Sequence, residues 1–378
     1  MSSNMIHLAQ AGSGLSPGLL SEPGGFLWWY LDLVDDNGNG LVVIWSYGLP
    51  FLPGYASAAR RGTPQMPGDR PSLNVSVYRG GELDFYLLQE FDPEEVQWQA
   101  DENGDSWRFG RSTLHSTVKG GQRAVKLDLL LDVPTLGERA RIVVESRGPG
   151  CCNGNGHHPG KRSTAAESLS FHDWTPILCA CSGTAIIEVG DSRSRISGRL
   201  YHDRNGGSVP LHDLGIDSWI WGRVALEGRD FIYYLLDGEE GEEEALFLTI
   251  DPSGAIKRLT DCRLRREKPK KNLGGLRWWP SMTIEVNGDD WLEIEHQDVV
   301  DSGPFYLRSV LRASDRRGGS FRGIAEVCEP DRVDMARHRP LVKMRVHHRE
   351  KLNSMWLPLF VGPRRGRVSR LLRSFVGR

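Results

Sequence analysis

The chain of 378 residues contains no run of about 18 apolar residues, the length that a membrane-spanning helix requires. Residues 1–20 lack a basic start followed by an apolar core, so we expect no secretory signal. Cysteine is scarce, because six residues are too few to build a disulfide scaffold in a chain of this length. Neither Cys151-Cys152 nor Cys179-Ala180-Cys181 has the spacing of a zinc set. These absences predict a reduced, cytosolic protein.

An excess of one charge sign is also missing, since 47 Lys and Arg residues nearly balance 49 Asp and Glu residues and leave a net charge of -2. This balance gives no electrostatic argument for a nucleic-acid partner, and we predict none. The hydrophobic share of 39% excludes a disordered chain and is sufficient for a sizeable core. Chains of this length form roughly two domains of about 150 residues each.

Glycine, in contrast, is abundant: the chain has 44 glycines, nearly double the usual share of about 7%. Segments that alternate apolar and polar residues surround the glycine-rich turns, which is typical of β-hairpins. Short connections join antiparallel strands, and many successive hairpins predict a sandwich or barrel. The four clearest hairpins pair residues 31–34 with 41–45, 73–78 with 83–88, 246–250 with 255–259, and 283–286 with 291–294.

A loop-like stretch at 148–168, rich in Gly, Cys, His and Ser, suggests a boundary between two β units. We therefore predict an all-β protein with two antiparallel barrel or sandwich domains, at residues 1–165 and 166–362. A short basic amphipathic helix is predicted to follow at 363–378.

The C-terminal segment 363–378 contains six arginines and no acidic residue. Five apolar residues fall at helical spacing and form one stripe: Val368, Leu371, Leu372, Phe375 and Val376. A basic amphipathic helix of this kind can lie in a membrane surface. The other interpretation is that the stripe packs on the barrel while the arginines face water. The first interpretation predicts a peripheral protein on the inner face of the membrane, and the second predicts a fully cytoplasmic one.

The sequence also lacks a metal-binding helix motif, a P-loop, a dinucleotide fingerprint and a nucleophile elbow, and it predicts no metal and no cofactor. What remains is a concentration of aromatic residues beside isolated acids. If residues 199–205 are extended, Tyr201, Asp203 and Asn205 share one face. Trp219 and Trp221 also share a face, and their rings could stabilise a nearby cation. The alternative is that the aromatics are ordinary core residues and that Asp203 belongs to a turn.

At these residues the chain resembles the carotenoid 1,2-hydratase (hydroxyneurosporene synthase) family of the lipocalin-like superfamily. Each matching segment is weak alone, but the set occurs in the family's order across most of the chain. The segments are residues 24–32 (GGFLWWYLD), 72–78 (SLNVSVY), 172–176 (HDWTP), 201–207 (YHDRNGG), 219–221 (WIW) and 303–310 (GPFYLRSV).

The resemblance implies a cofactor-independent hydratase that adds water to a terminal trisubstituted double bond of an acyclic isoprenoid or carotenoid. Protonation of the less substituted carbon gives a tertiary cation, so an acid is needed in an apolar pocket. The resemblance implies Asp203 as the proton donor, Tyr201 and Asn205 as its orienting partners, and Asp32 as a second acid. The resemblance also implies a substrate-binding wall, which consists of Trp28, Trp29, Tyr30, Trp219, Trp221 and Tyr306.

The chain departs from the family's YHDHNWG pattern at two positions, because Arg204 and Gly206 stand where the family has His and Trp. A glycine in place of an indole opens space for a differently shaped substrate. Two alternatives therefore stay open beside hydration. One is a lipocalin-like cyclase that folds a polyene for cycloaddition or cyclisation, and the other is a non-catalytic carrier of a hydrophobic ligand.

Overall fold

The computed structural model describes residues 5–9, 17–101, 103–133, 138–153, 172–238, 241–349 and 351–363. Almost all regular structure in this part of the chain is β. The two α-helices are short: α1 (Tyr55–Arg60) and α2 (Arg339–Lys343). Single 3-10 turns occur at Pro17–Ser21, Pro67–Asp69, Pro93–Glu95, Leu211–Leu214, Pro330–Asp334 and Leu357–Leu359.

The first sheet has fourteen strands and takes in most of the N-terminal half of the chain. Its strands are β1 (Ile6–Leu8), β2 (Phe26–Val34), β3 (Gly40–Tyr47), β4 (Pro71–Arg79), β5 (Glu82–Glu90), β6 (Val96–Asp101), β7 (Gly104–Phe109), β8 (Ser112–Lys119), β9 (Gln122–Val133), β10 (Glu138–Pro149), β12 (His172–Val189), β13 (Ser192–Gly207), β25 (Val346–His348) and β26 (Gly362–Pro363). They are hydrogen-bonded in the order β25, β5, β4, β3, β2, β13, β12, β10, β9, β8, β7, β6, with β1 beside β12 and β26 beside β5.

The second sheet has ten strands, and a separate two-stranded ribbon lies in its connections. The sheet contains β11 (Cys152–Asn153), β14 (Ile216–Leu226), β15 (Arg229–Gly238), β16 (Glu243–Ile250), β17 (Ala255–Arg258), β18 (Cys262–Arg266), β21 (Ser281–Val286), β22 (Asp289–Ser302), β23 (Tyr306–Asp315) and β24 (Ser320–Cys328). Its order is β11, β17, β16, β15, β14, β24, β23, β22, β21, β18, and the ribbon pairs β19 (Lys270–Lys271) with β20 (Arg277–Trp278).

All four predicted hairpins are present, as the antiparallel pairs β2–β3, β4–β5, β16–β17 and β21–β22. The turn between β21 and β22 shows why the sequence forms them. Asn287 and Gly288 both have positive φ angles, of 54° and 83°. Asparagine and glycine tolerate this left-handed conformation, and the resulting turn matches the twist of the two strands. The structure confirms the predicted all-β fold of two curled antiparallel sheets.

Three groups of buried apolar side chains hold the sheets together. The first core is enclosed by the first sheet, with residues such as Leu127 and Ile142, and a second core is enclosed by the second sheet. The third group, the interface core, lies between the two sheets. Trp28 of β2 and Trp221 of β14 belong to it, so each sheet buries both of its faces in this region. The interface core contains the aromatic residues nearest to the predicted site.

The change from the first sheet to the second does not coincide with the predicted division at residues 165 and 166. β12 pairs with β10 and β13 pairs with β2, so the first sheet extends to Gly207. The division of the chain into separately folding domains stays a prediction. The predicted amphipathic helix lies outside the described residues, except for Pro363. None of the helices in the described part of the chain is long and apolar enough to cross a membrane.

Candidate active site

The predicted face of β13 lies against β2 in a register that brings the acids and aromatics together. Asp203 is directly opposite Tyr30, and Asn205 is directly opposite Trp28. Tyr201 is opposite Asp32 by the same register. Because side chains alternate along a strand, these residues of both strands point to the same side of the sheet. That side faces the interface core, where Trp28, Tyr30 and Tyr201 are buried.

The second sheet completes the site from the other side. Trp219 and Trp221 lie two residues apart on β14 and are both buried in the interface core. The ring centroid of Trp221 is 5.1 Å from that of Tyr30 and 5.5 Å from that of Tyr201. The predicted tryptophans of β14 thus stand over the face that carries Asp203.

The carboxyl group of Asp203 accepts three hydrogen bonds inside this interface. Trp174 Nε1 donates to Oδ2 at 2.7 Å, and the Tyr201 hydroxyl donates to the same oxygen at 2.8 Å. Asn205 Nδ2 donates to Oδ1 at 2.9 Å. Asp203 is 3% exposed, so the carboxyl group is held by protein donors instead of water. The structure therefore brings the three residues predicted on β13 into one hydrogen-bonded group.

Burial raises the pKa of Asp203 to about 7, because water no longer stabilises the carboxylate. The hydrogen bonds from Trp174 and Tyr201 act in the opposite direction, and the negative charges of Glu326 and Asp32 raise the pKa further. The protonated form of Asp203 is therefore available at neutral pH. A carboxyl group with such a pKa is suited to general acid chemistry near pH 7.

His172 extends the group by one more hydrogen bond. Its Nε2 lies 2.9 Å from Asn205 Oδ1, which can only accept, so Nε2 carries the proton of the neutral ring. Burial lowers the pKa of His172 to about 4, against the opposing effect of the Asn205 hydrogen bond. The ring is therefore neutral at pH 7. It fixes the orientation of the Asn205 amide, which in turn directs its NH2 group at Asp203.

Asp32, the second predicted acid, is part of a buried ion cluster. Arg223 Nε donates to Asp32 Oδ2 at 3.3 Å, and Nη2 donates to the other carboxylate oxygen. Arg223 Nη1 also lies 3.4 Å from Asp230 Oδ1. Burial raises the pKa of Asp32 to about 6, with Arg223 acting in the opposite direction, so Asp32 is mostly ionised at pH 7. The cluster joins β2 to β14 and β15, and its carboxylates accept from the arginine.

Trp29 is not part of this group, although Trp28 and Tyr30 are. Its side chain points to the opposite face of β2, into the first core. There its ring centroid lies 4.7 Å from that of Trp107 and 6.2 Å from that of Trp45. The alternation of side chains along an extended strand requires this separation of neighbours. The structure therefore does not bring Trp29 to Asp203.

Tyr306 lies at a mainly apolar cleft beside the interface core. The volume of the cleft is about 660 Å³ when the part that is open to solvent is included. Between the cleft and Asp203 stands a row of aromatic rings, in which Phe51 is 5.8 Å from Phe305 and 5.5 Å from Trp219 between centroids. The side chains that line the cleft include Ile44, Leu49, Phe51, Tyr86, Leu88, Phe305, Tyr306, Arg308, Leu341, Val342 and Arg345.

The two positions that depart from the family pattern lie on the other face of β13. Arg204 is opposite Trp29 in the ladder, and its Nη2 donates to Thr175 Oγ1 at 3.2 Å. Gly206 is opposite Leu27, which belongs to the first core. Substitutions at these positions therefore leave the face that carries Asp203 intact.

Sequence reasoning had assigned no role to His172 and Trp174, which contact the predicted group directly. Both belong to the segment 172–176 that contributes to the family resemblance, and their spacing of two residues places them on one face of β12. In the described part of the chain, no group of three or more His, Cys, Asp or Glu residues is placed to hold a metal ion.

The sequence of this chain is similar to those of known carotenoid-modifying proteins. A hydroxyneurosporene dehydrogenase of Chlorobaculum tepidum is 26% identical over 332 residues, which are 82% of this chain and 84% of the relative. An acyclic carotenoid 1,2-hydratase of Rubrivivax gelatinosus is 30% identical over 307 residues, or 77% of this chain. The matched part spans 66% of the length of that hydratase.

Among solved structures, one assigned to AttH of Nitrosomonas europaea matches 85% of this chain and 99% of its own, with a TM-score of 0.56 at 13% identity. This likeness shows the lipocalin-like fold. The family model described as carotenoid hydratase CrtC matches residues 43–355, which include the strands that carry Tyr201, Asp203 and Asn205 as well as His172 and Trp174. The chain belongs to the carotenoid hydratase family.

Proposed function

We propose that the protein is a cofactor-independent hydro-lyase that adds water to a terminal double bond of an acyclic carotenoid or related isoprenoid. The observation that carries this proposal is Asp203, which is buried among aromatic side chains and whose pKa burial raises to about 7. Membership of the carotenoid hydratase family and the similarity to acyclic carotenoid 1,2-hydratases support the reaction class and the substrate class.

The reaction begins with proton transfer from Asp203 to the less substituted carbon of the terminal double bond. A C–H bond forms, the π bond breaks, and a tertiary cation results. The faces of Tyr201 and Trp221, whose ring centroids are 5.5 Å apart, can stabilise this cation. Water then adds to the cationic carbon and loses a proton to the Asp203 carboxylate, which restores the acid. The overall change is the addition of one water molecule.

The surrounding residues have positioning roles in this proposal. Trp174 and Tyr201 hold Oδ2 of Asp203, while Asn205 holds Oδ1 and is itself oriented by His172. The hydrogen bonds from Trp174 and Tyr201 keep the pKa of Asp203 from rising further with burial. Asp203 can therefore both give up a proton to the alkene and regain one from water near neutral pH.

We also propose that the basic tail at 364–378 holds the protein at the membrane surface. An acyclic carotenoid dissolves in membranes, and a basic amphipathic helix is suited to a peripheral position on the inner membrane face. Deletion of residues 364–378 should abolish cosedimentation with anionic liposomes. Unchanged liposome binding by the truncated chain would contradict a membrane role of the tail.

The hydratase proposal is tested by incubating the protein with an acyclic carotenoid and analysing the products by liquid chromatography and mass spectrometry. We expect a tertiary alcohol whose mass has increased by one water molecule. Asp203→Asn should reduce its formation by about 10²–10⁴-fold, because general acid catalysis contributes that much. Asp290→Asn, at an exposed site on β22, is the matched control and should retain full activity.

The same experiment separates the alternatives. A cyclase would give an isomer of unchanged mass with weak dependence on Asp203, and a carrier would return the ligand unaltered while quenching tryptophan fluorescence. Full hydratase activity of Asp203→Asn would contradict the mechanism.

A further inference from the structure

Several polar atoms in and around the interface core have no hydrogen-bond partner among the described residues, including His172 Nδ1 and the Tyr306 hydroxyl. Two of them belong to neighbouring rings: the Tyr30 hydroxyl and Trp221 Nε1. Both residues are almost fully buried, with exposures of 4% and 5%. Buried hydroxyl and indole N–H groups are nearly always hydrogen-bonded in proteins, because an unpaired group loses its interaction with water without compensation. The presence of two such unpaired atoms close together therefore requires an explanation.

These two residues lie beside the reacting carboxyl group. Tyr30 is directly opposite Asp203 in the ladder between β2 and β13, and side chains of such pairs are in contact range. The rings of Tyr30 and Trp221 are 5.1 Å apart and form an edge-to-face pair. The ring centroid of Tyr30 is also 6.2 Å from that of Tyr201, whose hydroxyl bonds to Asp203.

The nearest acids already have other partners. Asp203 accepts from Trp174, Tyr201 and Asn205. Glu326, which is opposite Trp221 in the facing sheet, accepts from Arg308 Nε at 2.8 Å. The Tyr30 hydroxyl and the Trp221 indole N–H are thus left for a small polar ligand.

A water molecule can form the hydrogen bonds that these two groups do not form with the protein. Its oxygen can accept from the indole N–H, which only donates, and it can either donate to or accept from the tyrosine hydroxyl. Burial raises the pKa of Tyr30 well above its ordinary value, so its hydroxyl stays neutral and acts through hydrogen bonds. A water molecule that accepts from the indole N–H and donates to the tyrosine hydroxyl keeps one lone pair free for attack on a neighbouring carbon.

We propose that Tyr30 and Trp221 form the binding site of the water molecule that adds to the tertiary cation. This inference rests on the proposed hydratase function and assigns its second substrate to a site. When the cation has formed, a C–O bond forms between this water and the cationic carbon, one O–H bond breaks, and the proton passes to the Asp203 carboxylate. Tyr30 acts here as a positioning residue, and protonation of the alkene does not need its hydroxyl.

The test is the partition of the cation in the variant Tyr30→Phe. An acyclic carotenoid is incubated with each variant in D2O, and both the alcohol formed and the deuterium in the recovered alkene are measured by mass spectrometry. A cation that is not captured by water loses a proton and returns as an alkene that carries deuterium. We expect the ratio of alcohol to deuterated alkene to fall about tenfold in Tyr30→Phe, the effect of one lost hydrogen bond.

Two further variants make the result decisive. Trp221→Phe keeps a ring in place and removes the N–H, and it should lower the same ratio. Tyr233→Phe is the matched control, because its buried hydroxyl lies 3.4 Å from His296 in the second core, away from the interface. It should leave the ratio unchanged. Circular dichroism melting verifies that each variant is folded, and Trp221→Phe decides the question if Tyr30→Phe does not fold.

An unchanged ratio in the folded variants would overturn the water site, as would an equal fall in Tyr233→Phe. Failure of the proposed function has a different signature, since wild-type protein would then form neither the alcohol nor deuterated alkene.

Discussion

Asp203→Asn should stabilise the folded protein above neutral pH while it removes activity. Burial raises the pKa of Asp203 from 3.8 to about 7, a shift of about three pH units. Each unit corresponds to about 1.36 kcal/mol, so ionisation of the buried carboxyl group costs the folded state about 4 kcal/mol. The folded protein binds the proton more tightly than the unfolded chain does. Its free energy of unfolding therefore contains a contribution that is complete below about pH 4 and is lost as the pH rises to about 7.

Asparagine cannot ionise, so the variant lacks this loss. Its amide oxygen can still accept from Trp174 and Tyr201, whereas its NH2 group faces the NH2 group of Asn205. We expect this mismatch to cost about 1 kcal/mol at every pH. Asp203→Asn should thus be slightly less stable than wild type at pH 4 and about 3 kcal/mol more stable at pH 8.

The assay is urea unfolding of both proteins between pH 4 and pH 8, followed by circular dichroism. Other buried titrating groups, such as Asp32 and His172, are present in both proteins, so they largely cancel in the difference. A difference in free energy of unfolding that stays constant with pH would refute the reasoning, because Asp203 would then have an ordinary pKa in the folded state.

Three further predictions follow from the site. Hydration by the wild-type protein should fall about tenfold per pH unit well above pH 7 in a pH–rate profile, since Asp203 must be protonated, and a rate that rises with pH would contradict this role. Trp174→Phe removes a hydrogen bond that lowers the pKa of Asp203, so the falling limb of that profile should move to higher pH, and an unmoved limb would count against the contact. Arg223→Met leaves Asp32 and Asp230 buried without their shared cation and should lower the free energy of unfolding by about 3–5 kcal/mol in urea. A loss below about 1 kcal/mol would show that the cluster does not join the sheets.

The hairpins and the shared face of Tyr201, Asp203 and Asn205 could be predicted from the sequence, because both depend on local alternation and turn residues. Alternation also separates Trp28 from Trp29, and applying it to these neighbours would have placed only one of them at the site. The departures at Arg204 and Gly206 likewise fall on the face away from Asp203.

Long-range pairing could not be predicted in the same way. The ladder between β2 and β13 joins residues that are more than 160 positions apart, and it decides that 172–207 belong to the first sheet. The partner of Asp32 is Arg223, at a sequence separation of 191. Nothing in the local sequence of either residue identifies the other, so the sequence predicts Asp32 only as a second acid and not its pairing with Arg223.

We propose that Asp203 drives the addition of water to an acyclic carotenoid. The most direct test of this proposal is the reaction in water labelled with oxygen-18, with wild-type protein and Asp203→Asn compared by mass spectrometry. We predict that wild-type protein forms a tertiary alcohol with one labelled oxygen at each hydrated end, and that Asp203→Asn forms almost none. An unlabelled isomer from the wild-type protein, or equal labelling by both proteins, would contradict the account.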